Sequence, residues 1–202
     1  MNASYVQIES NDLSGCDAGL EITTSLAEPS FEPVSIIITS NAIHDVGDGT
    51  AGYGITGPAA GGGRTKGVLI AGNSIRNVPN CGIALRAIDS LSITNNVLFD
   101  VGTACDSANL RAGISTQDTT LAMITGNSIS LAPACRENYG IALQDSRNAI
   151  VSANLLSNVA APGGQGISLS NNCSRVAVEA NSVTCRSFGT YNRGFILSDY
   201  GR

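Results

Sequence analysis

Residues 81–98 read CGIALRAIDSLSITNNVL, and two phrases inside that stretch decide the fold. The second half, LSITNNVL, is an apolar alternation followed by Asn96, one further residue and an apolar side chain. The same phrase recurs as VQIESNDL, IIITSNAI, VLIAGNSI, AMITGNSI, AIVSANLL and VAVEANSV, with its asparagine at 11, 41, 73, 127, 154 and 181. The first half carries the other phrase, Gly82-Ile83 followed by alternation. It recurs at Gly19, Gly54, Gly113, Gly140, Gly166 and Gly194, once after each corner asparagine. Period-2 alternation over four or five residues marks a strand with one buried face. Asn tolerates left-handed backbone and bonds along the main chain, which suits a tight corner between two strands. A repeat of 23 to 32 residues cannot bury its own apolar face, so it must stack on its neighbours at about 4.8 Å.

The expected fold is therefore all-β: a single-stranded parallel β-helix of about seven coils occupying 1–202 as one domain. Each repeat is expected to contain a strand, the Asn corner, a second short strand, a loop, a Gly-opened strand and another loop. Leucine-rich repeats would need a Leu consensus and a helix in each unit. A propeller would need four antiparallel strands per blade, and a sandwich would not repeat one corner residue seven times.

The phrases VLIAGNSIRNV and CGIALRAIDSLSITNNVL resemble the repeats of right-handed parallel β-helix proteins of the pectate-lyase-like superfamily. That group includes polysaccharide lyases, epimerases, some glycoside hydrolases and phage tailspikes. The resemblance implies right-handed coiling, a layout in which the Gly phrase opens the first strand and the Asn corner joins the second and third, and a substrate groove along the first strands. It specifies architecture far more strongly than activity.

Composition narrows the partners. Only 13% of the residues are charged, 43% are hydrophobic, the net charge is −5 and Lys66 is the one lysine. A nucleic-acid ligand is not expected without a basic face. No apolar stretch approaches the roughly 20 residues of a membrane span, and no signal peptide is visible. Neither end shows an amphipathic cap over the exposed sheet edges. The expectation is a piece of a longer protein or a self-associating chain, a trimer in the manner of tailspikes, outside the cell or on a virion surface.

Alternation places Ile70, Ile83, Ile93, Ile114, Ile124, Ile141 and Ile167 inside. Outside the first strand it places Ser115, then Arg86, Gln117 and Gln144, then Asp118 and Asp145, with Asp89 nearby and Arg111 and Glu137 in the bordering loops. A polysaccharide partner is expected along this stripe. Asp118 and Asp145 hold matching positions in successive coils, a spacing near the about 5–5.5 Å of a retaining glycosidase pair. Asp89 with Asp145 spans two coils, closer to the about 6.5–9.5 Å of an inverting pair. The competing reading is that each Asp caps a turn. Arg86 and Arg111 suit a sugar carboxylate, or in the resembled lyases a base; the plain alternative is a surface ion pair with Asp118 or Asp89.

His44 is expected to point out of the third strand, away from the groove. With Asp45 it does not match the Asp-Pro-His-Asp/Glu motif of alginate epimerases. Six cysteines without a C-x-x-C pair do not suggest a metal site, and no cofactor is required. Cys105 with Cys135, and Cys173 with Cys185, have spacings compatible with disulfides; buried thiols fit equally well. The segment GPAAGGGRTKG, 57–67, reads as a glycine-rich flap. Two functions follow: a β-helix that binds and cleaves or remodels a polysaccharide, or a non-catalytic one that binds glycans or spaces other domains.

Overall fold

A computed structural model describes residues 5–23, 35–58, 63–104, 111–133, 138–159, 164–185 and 195–197. Every strand pairing in it is parallel, and the chain winds as a β-solenoid. First and second strands merge into one 12-stranded sheet, while the third strands form a separate 7-stranded sheet running from Asp12–Ser14 to Ser182–Cys185. The register stacks equivalent residues turn on turn. Ile8, Ile38, Ile70, Ile93, Ile124, Val151 and Val178 lie in one inward column. Ile38, Ile70, Ile93, Ile124 and Val151 are completely buried. Each such aliphatic side chain contributes roughly 1.5–3 kcal/mol of transfer free energy, most of it offset by lost chain entropy.

The asparagine corner forms a continuous ladder. Asn96 donates from Nδ2 to Asn127 Oδ1 at 3.0 Å, to Ile70 O at 3.0 Å and to Thr94 O at 3.1 Å. Its Oδ1 accepts from the Asn73 backbone N–H and Nδ2. Only an amide supplies both the donors and the acceptor that this position uses. Asn41, Asn73, Asn96, Asn127 and Asn154 are buried, whereas Asn11 and Asn181 are not. The fully packed stack is therefore about five turns, with an opened turn at each end accounting for the difference from seven.

Two details differ from the sequence-based expectation. The left-handed residue at the corner is not the asparagine but its predecessor: Ser10, Ser40, Gly72, Asn95, Gly126, Ala153 and Ala180 all have φ between 53° and 68°. The asparagine keeps ordinary backbone and spends its side chain on the ladder. Second, no loop separates first and second strands in Cys81–Thr94 and Ala112–Thr125, each a single strand of 14 residues. The bend there is made by pairs of left-handed residues, Ala87 with Ser90 and Asp118 with Leu121.

The repeated glycine also has a steric cause. In the first strands from Ala18–Glu21 to Gln165–Ser170 it is the second residue, and its φ is negative. A Cβ on Gly113 would sit 2.7 Å from Gly140 O and collide with Ile129. A Cβ on Gly140 would sit 2.5 Å from Gly166 O. Gly19, Gly54, Gly82, Gly113 and Gly140 are thus places where neighbouring turns approach too closely for any side chain.

Candidate functional site

On the outward first-strand face, Thr56, Ala84, Ser115, Ala142 and Ser168 stand in one column, and Arg86, Gln117, Gln144 and Ser170 in the next. The expected stripe therefore exists, with Arg86, Gln117 and Gln144 each half-buried. Tyr53, Thr56, Pro58, Arg86, Ser115 and Gln117 line a cleft of about 290 Å³. Gln144 stands one turn above Gln117 and outside the cleft's lining. Arg111 is not brought to it either: its Nη1 donates to Ala104 O at 3.1 Å, beside the entrance to its own strand. Glu137 lies outside the described residues. Tyr53 is the residue that sequence reasoning missed here; its position one before Gly54 marks the start of a first strand and could have flagged it.

A second cleft, of about 300 Å³, opens at the bend between first and second strands. Arg64, Asp89, Asp118, Thr120, Asp145, Arg147 and Asn172 line it. Asp118 and Asp145 both have φ of 50°, a backbone state that Asp accepts better than most residues. Arg64 spans two turns: Nη2 donates to Asp89 Oδ1 at 2.7 Å and Nη1 to Asp118 Oδ2 at 2.8 Å. It also donates to the Asp118 carbonyl at 3.1 Å. The cation that pairs with Asp89 and Asp118 is thus Arg64, not Arg86 or Arg111. Arg64 comes from the segment expected to be a flap. The register Lys66 to Asp89 places it over the acidic corner, a signal available only once the second strands are aligned.

Electrostatics follow from these bonds. The Arg64 guanidinium, working against partial burial, holds the Asp89 carboxyl below its ordinary range. Burial pushes the Asp145 carboxyl up, but hydrogen bonds from Asn172 and Asn171 outweigh it and leave the group lowered. Asn172 Nδ2 donates to Asp145 Oδ1 at 3.0 Å. A glycosidase general acid requires the reverse, a carboxyl held protonated near neutral pH. Turn-capping and ion pairing therefore occupy the carboxylates that the sequence singled out, while all three still converge on one cleft.

His44 points outward from the third strand, as its alignment with Ser14 and Arg76 requires. Its ring lies between Asp45 Oδ2 at 2.7 Å and Asp12 Oδ1 at 2.9 Å. The Asp45 bond, opposed by burial and aided by Asp12, raises the imidazole above its ordinary 6.5. A raised pKa favours the folded state fully below about pH 6.5, and this contribution is lost as pH rises through the folded value. The thermal midpoint is expected to fall between about pH 6 and 8, and His44→Gln to flatten that slope. An NMR titration of His44 with its midpoint at or below 6.5 would contradict this.

Among the described residues no group of three His, Cys, Asp or Glu could hold a metal ion. Cys173 and Cys185 are thiols, not a disulfide. Cys173 Sγ donates to Ser170 O at 3.2 Å and accepts from the Ser146 N–H, so it serves as a corner ladder group. Burial pushes the Cys81 thiol up to about 12, which removes it as a nucleophile. Cys105 and Cys135 lie outside the described residues.

A family model of the right-handed β-helix region matches residues 1–183. No curated protein and no solved structure matches the chain.

Proposed function

We propose that this chain, which belongs to the right-handed β-helix family, binds a polysaccharide along the outward face of its first strands. The observation that carries the reading is the cleft of about 290 Å³ in which Tyr53, Arg86, Ser115 and Gln117 converge from three successive turns. A repeating polymer suits a repeating surface. Tyr53 offers a flat, amphipathic ring with a polar tip, Ser115 and Gln117 offer hydroxyl- and amide-type hydrogen bonds, and Arg86 offers a planar fork for a carboxylate. Those groups favour a uronate-containing chain, and the setting proposed for it is outside the cell or on a virion surface.

Cleavage or remodelling is the second reading, supported by the convergence of Asp89, Asp118 and Asp145 on the neighbouring cleft. The lowered Asp89 and Asp145 carboxyls favour binding alone.

Glycan-array and calorimetric titration with uronate-containing and neutral polysaccharides test the proposal. Binding is expected to weaken about tenfold or more in Arg86→Ala and in Gln117→Ala. No binding to any member, or undiminished binding by both variants, overturns the reading. Reducing ends or unsaturated-uronate absorbance that disappear in Asp118→Asn and Asp145→Asn would establish the catalytic alternative.

A further inference from the structure

The outward face of the second strands has a composition that solvent contact does not explain. Its central column runs Ile37, Leu69, Ser92, Met123 and Ile150, one residue per turn. The column two residues later is Thr39, Ala71, Thr94, Thr125 and Ser152, in the same register. The residues two earlier are Ser35, Gly67, Ser90, Leu121 and Asn148. Through five consecutive turns these three columns contain no charged side chain. Leu121, Met123 and Ile150 are 59%, 47% and 41% exposed, and a shallow groove of about 580 Å³ runs among them.

Charge returns only in the terminal turns, and at the C-terminal end it takes a specific form. Ala177 continues the central column, with Arg175 two residues before it and Glu179 two residues after. Both are exposed, and among the described residues neither makes an ion pair. They stand symmetrically about the central column with opposite signs. A surface of this kind is self-complementary. A two-fold axis laid over the central column, parallel to the solenoid axis, brings Arg175 of one copy to Glu179 of the other, twice. The same operation sets Met123 on Met123 and Ile150 on Ile150, with the two sheets about 10 Å apart.

We propose that the second-strand face is a homodimer interface, in which two copies pack face to face about this axis. The area is sufficient. Three columns at about 6.8 Å and seven turns at about 4.8 Å cover roughly 700 Å² per copy, near the roughly 800 Å² per partner of a standard interface. An uncharged centre with a polar rim is the usual anatomy of such contacts. The first-strand face points elsewhere and stays open in this dimer, so glycan binding and association can fail independently.

Sedimentation equilibrium of the full chain, with thiol reductant present, tests this. A monomer–dimer equilibrium in the micromolar range is expected. Met123→Lys is expected to weaken it at least about tenfold. Arg175→Glu alone places like charges opposite each other and is expected to weaken it about tenfold. The double variant Arg175→Glu with Glu179→Arg reverses both signs, keeps the net charge and is expected to restore it to within about threefold. All three positions face outward, and thermal unfolding confirms that the variants fold. A monomer or a trimer at every concentration, or a double variant no tighter than Arg175→Glu, overturns the proposal.

Discussion

Asn96→Ala is expected to lower the unfolding free energy by about 3 kcal/mol or more, a large part of the about 5–15 kcal/mol typical of a domain. The amide at 96 is fully buried and is bonded on both sides. Its removal strands the Asn73 N–H, which donates to Asn96 Oδ1 at 3.0 Å, and opens a small void beneath it. Asn11→Ala is the internal control. Asn11 lies at the exposed end of the ladder and donates to Asn41 and Glu9, so its loss is expected to cost about 1 kcal/mol or less. Asn96→Asp sharpens the test. A carboxylate there would face Ile70 O, Thr94 O and Asn127 Oδ1, all acceptors. The folded state must hold it protonated, with its pKa raised. Relative to the wild type, that variant gains stability as pH falls from about 7 to 4 and loses it as pH rises. Urea unfolding across that range measures both effects. Equal costs at positions 96 and 11 would refute the ladder's energetic role.

Gly113→Ala is the second large effect, expected at about 3 kcal/mol from a single added methyl group. The new Cβ meets a backbone carbonyl, Gly140 O at 2.7 Å, as well as the Ile129 side chain. A carbonyl committed to the stacking of turns cannot rotate away as a side-chain tip could. The turns must separate locally, and the damage extends to the Ile114–Ile141 pairing alongside. Gly63→Ala supplies the contrast, because nothing lies within 4 Å of its Cβ position and its φ carries no penalty. That change is expected to stay within about 0.5 kcal/mol. Thermal and urea unfolding of the pair decide the matter. A silent Gly113→Ala would mean that the turns are packed less closely than described.

Much of the architecture was legible because its determinants are local and repeated. Asn at the corner and alternation on either side state the inward face directly, and Ile70, Ile93 and Ile124 are buried as their phrases require. What escaped the sequence depends on contacts between turns. The glycine phrase was visible, but its cause, the meeting of Gly113 with the Gly140 carbonyl, exists only across a stack. The corner's left-handed residue escaped because Ser, Gly, Asn and Ala share the position before Asn without a common chemistry. Arg64 escaped because a long side chain reaches Asp118 from 54 positions away. Asp118 and Asp145 stand at equivalent positions of successive turns, as their spacing in the sequence requires, and their carboxylates are engaged by Arg64 and Asn172.

The distance from one corner asparagine to the next varies from 23 to 32 residues, yet the ladder bonds between them stay within 2.9–3.0 Å. Growth of this molecule is therefore quantised along its axis and unrestricted across it. Extra residues between strands leave the axial pitch untouched. One extra residue within a strand would turn every later side chain inside out. Such a chain can acquire new surface by lengthening its flanks, and new height only by copying a whole storey.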